Sequence, residues 1–331
     1  MTPNTRKLLI PATFAKVGWE IFARRDDVEA VPYDPLIGTA DFHALLADVD
    51  GVALAQTPLG APELAVAPRL EVVARVGVGF DRVDIPALTA RGVPLMTVGT
   101  ANSVTVAEHA MLLMLALAKR ALFQDEIVRN DRWQERWDAL PVDLFERTLL
   151  IVGFGRIGTR VARRCLALEM RVLVYDPYVP ASAVAAAGCE PVADLDAALA
   201  QADVVTIHCP KSPETVYMFD AARLARMKSS AVLVNTARGG IVDEAALHAA
   251  LAGGRLAGAG LDVFEREPAN SGNPLLALRN VIVAPHIAGV SHESVDRMAI
   301  ATARNMLSVL DGTPIRENCI NPEVLGRGRG P

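Results

Sequence analysis

At 331 residues the chain is longer than one hydrophobic core ordinarily fills, about 250–300 residues, so two domains are expected. Apolar residues make up 51% and aromatic residues only 5%, which excludes a disordered chain and suits a packed α/β protein. The net charge of −5 comes from interspersed acids and bases, so there is no basic footprint for nucleic acid or an anionic membrane. Cys165, Cys189, Cys209 and Cys319 match no metal-ligand spacing and are too sparse for a disulfide scaffold; reduced thiols in a cytoplasmic protein, with no metal site, are expected. The apolar run in Met1–Ile10 breaks at Pro11, too early for a signal peptide. The most apolar stretch, Ala110–Ala118, is far below membrane-spanning length and reads as a core helix.

In chain order, Lys7–Ile10 reads as a strand, Phe14–Arg24 as a helix, Val28–Val31 as a strand and Asp41–Ala47 as a helix. Val49–Ala55 is a third strand, Pro62–Ala67 a short helix, and Leu70–Val76 and Pro94–Val98 the fourth and fifth strands. Such alternation predicts parallel βαβ units. A long helix follows over Asn102–Arg120, with Ser103 or Thr105 as its cap. It is apolar nearly all round, so burial at an interface is expected. A polar stretch, Gln124–Arg147, carries Trp133 and Trp137.

A second series starts at Thr148. Its strands are Leu149–Val152, Arg171–Tyr175, Val204–His208, Ala231–Asn235, Gly258–Asp262 and Val281–Ala284, with a helix at Ile157–Ala167 and a last one at Ser291–Leu310. Two Rossmann-like halves with parallel sheets follow from this pattern.

The second half opens with Gly153-Phe154-Gly155-Arg156-Ile157-Gly158 directly after an apolar strand and at the start of a helix. In that context the glycines carry meaning. Gly153 permits the tight turn, Gly155 lets a pyrophosphate approach the backbone, and Gly158 lets helix and strand pack closely. The helix N-terminus offers N–H groups and a positive dipole end to the anion. Asp176 ends the next strand, eighteen residues after Gly158. An acid there accepts from ribose hydroxyls and repels a 2′-phosphate, so NAD is the expected cofactor.

Three polar spots sit at the ends of later strands: Asn235–Gly240 with Arg238, Asp262–Pro268 with Glu265 and Glu267, and Pro285–Gly289 with His286. The carboxyl ends of parallel strands are where open α/β sheets build sites. An arginine, a carboxylate and a histidine are the parts that reduction of a keto acid requires. The cation fixes the substrate carboxylate and polarises the carbonyl, the imidazolium supplies a proton, and the carboxylate orients the ring.

These segments, with Ala74–Asp81, Asn102–His109, His208-Cys209-Pro210 and Asn318–Val324, closely resemble the D-isomer-specific 2-hydroxyacid dehydrogenase family, which includes phosphoglycerate dehydrogenases. The resemblance implies Arg238, Glu267 and His286 as the catalytic set, and backbone N–H groups at Val76 and Gly77, with Arg238, as the substrate-carboxylate site. It implies cofactor contacts at Val78, Thr105, Gly153, Gly155, Arg156, Ile157, Gly158, Asp176, Cys209, Pro210, Thr236, Ala237, Arg238, Asp262, His286 and Gly289. It also implies a substrate domain of flavodoxin-like type, discontinuous over residues 1–101 and 290–331, a cofactor domain over 102–289, a hinged cleft, and a homodimer built through the cofactor domains.

Among the other histidines, His208 is expected to line the adenine pocket and His109 to be structural. His292 is expected near the cleft mouth, and His43 and His248 on helix surfaces. The loop Ala55–Gly60 has no basic residue to take a phosphate. This favours glyoxylate, hydroxypyruvate or a small aliphatic 2-keto acid over 3-phosphoglycerate, although Arg75 stands nearby as a candidate base. The end at Pro331 leaves no room for the regulatory domain that many phosphoglycerate dehydrogenases append. The Glu267-Pro268 pair argues against formate, whereas the same three side chains are compatible with phosphite. A dinucleotide-sensing corepressor keeps the same fold and residues, and differs in needing a peptide groove and disordered flanks.

Overall fold

The computed structural model describes residues 5–326; the outermost residues of the expected first domain, 1–4 and 327–331, lie outside them. The chain divides into two compact units, Met1–Asn102 with Val290–Pro331, and Ser103–Gly289. The first runs β1 (Arg6–Pro11), α1 (Lys16–Phe22), β2 (Val28–Tyr33), α2 (Thr39–Leu46), β3 (Gly51–Leu54), α3 (Ala61–Ala65), β4 (Val72–Arg75), α4 (Ile85–Arg91) and β5 (Leu95–Met96). Its five strands pair in parallel in the order β2-β1-β3-β4-β5, the flavodoxin-like order. Every residue of β3 is buried, as expected of a strand covered on both faces.

The sequence pattern misses α4, although its signals are present. Asp84 accepts from the Ala87 N–H at 3.0 Å, Pro86 stands in the first turn, and Gly92 closes the helix in the left-handed region at φ 71°.

The second unit runs α5 (Ser103–Ala118), α6 (Ala121–Arg129), β6 (Thr148–Val152), α7 (Gly158–Ala167), β7 (Arg171–Tyr175), α8 (Ala181–Ala186), β8 (Glu190–Pro191) and α9 (Leu195–Leu199). It continues through β9 (Val204–Ile207), α10 (Ala221–Leu224), β10 (Val232–Asn235), α11 (Glu244–Ala252), β11 (Gly258–Leu261) and β12 (Val281–Val283). The seven strands are parallel, in the order β12-β11-β10-β9-β6-β7-β8. The order in which strands are added reverses between β6 and β9, and ligands of such sheets bind outside the strand ends at that point.

One expectation needs correcting. Helix α5 begins at Ser103, so Ser103 and Thr105 lie in its first turn and neither stands ahead of it as a cap. The polar stretch Gln124–Arg147, given no secondary structure from sequence, holds most of α6 at its start and a 3-10 turn over Trp133–Trp137.

α5 is buried on the face that meets β10 and β11, where Gly260 leaves room for it. A Cβ on Gly260 would stand 2.9 Å from the Leu113 Cβ. Among the described residues nothing covers Leu112, which lies on the opposite face of α5 and is 59% exposed.

The last helix, α12 (His292–Leu310), belongs to the first unit. Ser291 caps it, accepting from the Ser294 N–H at 3.1 Å. Met306, Ala299 and Ala303 pack with Leu8 and Ile10 of β1. Asn305, 1% exposed, donates from Nδ2 to the Thr97 carbonyl at 2.7 Å. Asn321 accepts from the Leu95 N–H and so seals β5. Polar side chains in otherwise apolar surroundings thus tie the end of the chain to its first hundred residues.

Candidate active site

The strand–turn–helix at β6–α7 is built around backbone contacts that side chains would block. Gly153 has φ 96°, and a Cβ there would lie 2.5 Å from the Cys209 nitrogen. At Gly158 it would lie 2.1 Å from the Gly153 carbonyl oxygen, so the helix start and the turn touch through bare backbone. At Gly155 nothing lies within 4 Å, so this glycine faces open space. Among the described residues the N–H groups of Gly155 and Ile157 donate to no protein acceptor. Open space over a glycine, free N–H groups and a helix start fit a dinucleotide pyrophosphate.

Asp176 follows β7 and turns back on that loop. Its Oδ2 accepts from the Phe154 N–H at 2.7 Å and its Oδ1 from the Tyr178 N–H at 2.9 Å.

Across the sheet, three loops leave β10, β11 and β12 side by side. Asn235, 2% exposed, shapes the first: its Oδ1 accepts from the Ala237 N–H at 3.0 Å, and its Nδ2 donates to the Arg238 carbonyl at 2.9 Å. Arg238 donates from Nη1 to the Ala237 carbonyl at 2.6 Å. Gly239 then presses the first loop onto the second, since a Cβ there would fall 1.8 Å from the Phe264 carbonyl oxygen.

In the second loop, Glu267 accepts from the Phe264 N–H at 3.1 Å and reaches His286 Nδ1 at 2.7 Å through its other oxygen. His286 itself has φ 53°, a left-handed conformation that a residue of this size rarely adopts. Asp262, 1% exposed, holds it there. Its carbonyl accepts from the His286 N–H at 2.8 Å, and its carboxylate from the N–H groups of Ile287 and Ala288 at 2.7 and 2.9 Å. Sequence reasoning names Asp262 only as a cofactor contact and gives Asn235 no role; what it misses is that both organise loops.

The electrostatics follow from this geometry. The hydrogen bond from Glu267 holds the His286 imidazole above its ordinary value of 6.5, against burial and the nearby Arg238 charge. Burial acts to raise the Glu267 carboxyl, but the bonds from His286 and Phe264 N–H outweigh it and leave it below its ordinary value. Arg238 is near enough for its charge to act on both partners, so the three expected residues lie together.

Other expected residues separate into groups. Thr236 and Ala237 are buried at the start of the Arg238 loop, and Gly289 is half-buried beyond His286. Cys209 is largely buried beside Gly153, and burial pushes its thiol up to about 11; Pro210 is exposed. Thr105 is half-buried in the first turn of α5. His208 is half-buried, with its Nδ1 enclosed; burial of the ring drives its pKa down to about 3, and its Nε2 pairs with the Thr206 hydroxyl at 2.9 Å. It is therefore a neutral packed residue. His109 is half-buried with its Nε2 enclosed.

His43 is not a free surface residue, since its Nε2 meets Glu63 at 2.9 Å; His248 is half-buried, and His292 is exposed at the first position of α12.

Within the first unit, Val76, Gly77 and Val78 follow β4. The Val76 N–H donates to the Leu54 carbonyl at 2.9 Å, so this donor is already used. The N–H groups of Gly77 and Val78 have no protein acceptor among the described residues.

A flavodoxin-like unit and a Rossmann unit in one chain, with an Arg–Glu–His cluster at the strand ends of the latter, define a two-domain protein of dinucleotide-dependent dehydrogenase architecture. The family model described as D-isomer specific 2-hydroxyacid dehydrogenase, NAD binding domain, matches residues 111–288. A D-3-phosphoglycerate dehydrogenase of Archaeoglobus fulgidus is 40% identical over 270 residues, 82% of this chain and 51% of that protein. The chain thus spans about half the length of that relative. A glyoxylate reductase of Korarchaeum cryptofilum is 41% identical over 277 residues, 83% of each chain. The crystal structure of a D-lactate dehydrogenase from Aquifex aeolicus, complexed with NAD and lactic acid, superposes with a TM-score of 0.84 at 28% identity, covering 96% of this chain and 99% of that one. The chain belongs to the D-isomer-specific 2-hydroxyacid dehydrogenase family. Among the described residues no helix is long and apolar enough to cross a membrane.

Proposed function

We propose that the protein reduces a small 2-keto acid to the D-2-hydroxy acid with NADH, and runs the reverse oxidation with NAD. The observation that carries this reading is the His286–Glu267 pair at 2.7 Å, under the charge of Arg238, on strand ends of the sheet that carries the glycine turn. When bound at that turn, the nicotinamide cofactor supplies the hydride. The protein's own residues do the rest. The Arg238 guanidinium draws the substrate carboxylate and the carbonyl oxygen. His286 holds a proton on Nε2 for that oxygen, because Nδ1 is engaged by Glu267. Glu267 keeps the ring oriented and favours its charged form. Gly77 and Val78 offer the remaining backbone donors for the substrate carboxylate.

The substrate is glyoxylate, hydroxypyruvate or a short aliphatic keto acid. Support comes from the loop Ala55–Gly60, which has no base, and from Arg75, whose guanidinium is drawn into that loop instead. Its Nε donates to the Gly79 carbonyl at 2.7 Å, and its Nη1 to the carbonyls of Leu54 and Ala55. A panel of 2-keto acids, including 3-phosphohydroxypyruvate, assayed with NADH tests this. Turnover is expected with the small acids and weak turnover with the phosphorylated one. Tight NADH binding without turnover of any keto acid would overturn the enzymatic reading.

The protein acts as a homodimer. Leu112, Leu122, Trp133, Trp137 and Leu140 are each more than half exposed, and they lie on α5, α6 and the segment after it. A run of large apolar side chains of this kind is what a self-complementary interface covers. Light scattering on the wild type should give a dimer, and Leu112→Glu should shift it to monomer at micromolar concentration. A monomeric wild type would remove the assignment.

A further inference from the structure

The loop after β9 carries a carboxylate that the catalytic reading does not use. Glu214 is exposed, and its Oε2 accepts a hydrogen bond from the Tyr178 hydroxyl. Tyr178 is 76% exposed, yet its two ends are tied: the hydroxyl to Glu214 and the backbone N–H to Asp176 Oδ1. The other oxygen of Asp176 accepts from Phe154 in the glycine turn. Gly153 in turn backs onto Cys209, at the root of the loop that carries Glu214. The contacts therefore close a ring, from Gly153 and Phe154 through Asp176 and Tyr178 to Glu214 and back to Cys209.

The loop holding Glu214 is fixed from within. Thr215 is 8% exposed; its hydroxyl donates to the Pro210 carbonyl at 2.8 Å and accepts from the Ser212 N–H at 2.7 Å. Tyr217 N–H bonds the Gly240 carbonyl at 2.8 Å. Lys211, the cation of this loop, points elsewhere, its Nζ lying 2.8 Å from where a Gly240 Cβ would be. The charges that act on Tyr178 are those of two carboxylates: both Glu214 and Asp176 push its phenol up.

We propose that Tyr178 and Glu214 form a clasp at the adenosine end of the cofactor site, and that Glu214 is a second carboxylate, beside Asp176, selecting against a 2′-phosphorylated dinucleotide. This rests on the cofactor reading above and deepens it. A tyrosine bound at both ends presents its ring to a ligand without losing much side-chain freedom on binding. Two acids on one rim repel the dianionic 2′-phosphate from two sides, whereas a ribose diol meets only acceptors it can donate to.

Dissociation constants for NADH and NADPH, read by fluorescence titration of the full chain, test the proposal without relying on turnover. Glu214→Gln keeps an acceptor for Tyr178 and removes the charge. It should tighten NADPH about five- to tenfold and leave NADH within about twofold, as removal of one unit charge facing a dianion across a solvent-exposed rim implies. Raising salt from about 0.05 to about 0.5 M should shrink the difference between wild type and variant. Tyr178→Phe keeps the charge and opens the clasp, so it should weaken NADH several-fold with a smaller change in the NADPH/NADH ratio. Asp176→Ala should relax the ratio further, and combination with Glu214→Gln should add to it. A Glu214→Gln variant that shifts both dinucleotides alike, or neither, would overturn the role of Glu214 while leaving NAD binding intact. A wild type that binds neither dinucleotide would overturn this proposal and the cofactor reading together.

Discussion

Alanine at position 286 is expected to lower kcat for keto acid reduction by about 10²–10⁴-fold, the contribution of a positioned general acid, with the dissociation constant of NADH nearly unchanged. The reason lies in the local build. The ring is held by Glu267 on one side and by a left-handed backbone on the other, so its Nε2 has a fixed direction and no water takes its place with the same proton affinity. The sign of the pH dependence follows. The His286 imidazolium is favoured beyond its ordinary 6.5, chiefly by the bond to Glu267. Reduction needs the protonated ring, so kcat/KM for the keto acid should be flat at low pH and fall as pH rises through that elevated value. Oxidation needs the neutral ring and should fall as pH drops through the same value. Glu267→Gln removes the charge that favours the imidazolium, and both breaks should move to lower pH. A pH profile of Glu267→Gln that superposes on the wild type would remove Glu267 as the orienting acid.

The same pair has a thermodynamic signature. A raised folded value for His286 contributes stability that is full below the ordinary 6.5 and lost as pH rises through the folded value. A lowered folded value for Glu267 contributes stability that is full above its ordinary 4.5 and lost as pH falls through the folded value. The pair stabilises most between those limits, a window that lies within the low-pH plateau expected for reduction.

What sequence made legible and what it hid divides along physical lines. Strands buried on both faces show as unbroken apolar runs, so β6, β7, β9 and β10 are visible to within a residue or two. The glycine turn is visible because steric necessity leaves only glycine at Gly153 and Gly158. Helix α4 is hidden because only Leu88 is fully buried on it, so it has almost no apolar period and must be found from its caps. α6 is hidden in the same way, with Ile127 as its one buried side chain. At the site, position at the strand ends offers Arg238, His286 and either Glu265 or Glu267, and only the family resemblance picks Glu267. Neither can show that Asp262 spends its carboxylate on two N–H groups of the His286 loop, or that Val76 has given its N–H to Leu54. These are relations between strand ends far apart in sequence, and no period along the chain records them.

Gly239 is such a relation, and replacing it carries the second large effect. A methyl group there would overlap the Phe264 carbonyl at 1.8 Å, its carbon at 2.1 Å and the Glu265 nitrogen at 2.6 Å. All three are backbone atoms, so no side chain can turn aside and the two loops must part. Phe264 is also the residue whose N–H holds Glu267, so the movement separates Arg238 from the Glu267–His286 pair. Gly239→Ala should lower kcat/KM by about 10²-fold, as a displacement of about 1 Å at a reacting centre does. It should also cost about 1–3 kcal/mol of stability through overpacking, seen as a lower Tm. Gly155→Ala provides the contrast. Its Cβ meets nothing within 4 Å, so Tm should hold while NADH binding weakens, because the open space there is kept for the pyrophosphate. The two glycines thus separate what the chain needs for its own backbone from what it keeps free for a ligand. A Gly239→Ala variant with wild-type turnover, or a Gly155→Ala variant with wild-type NADH affinity, would show that the corresponding contact is not used in that way.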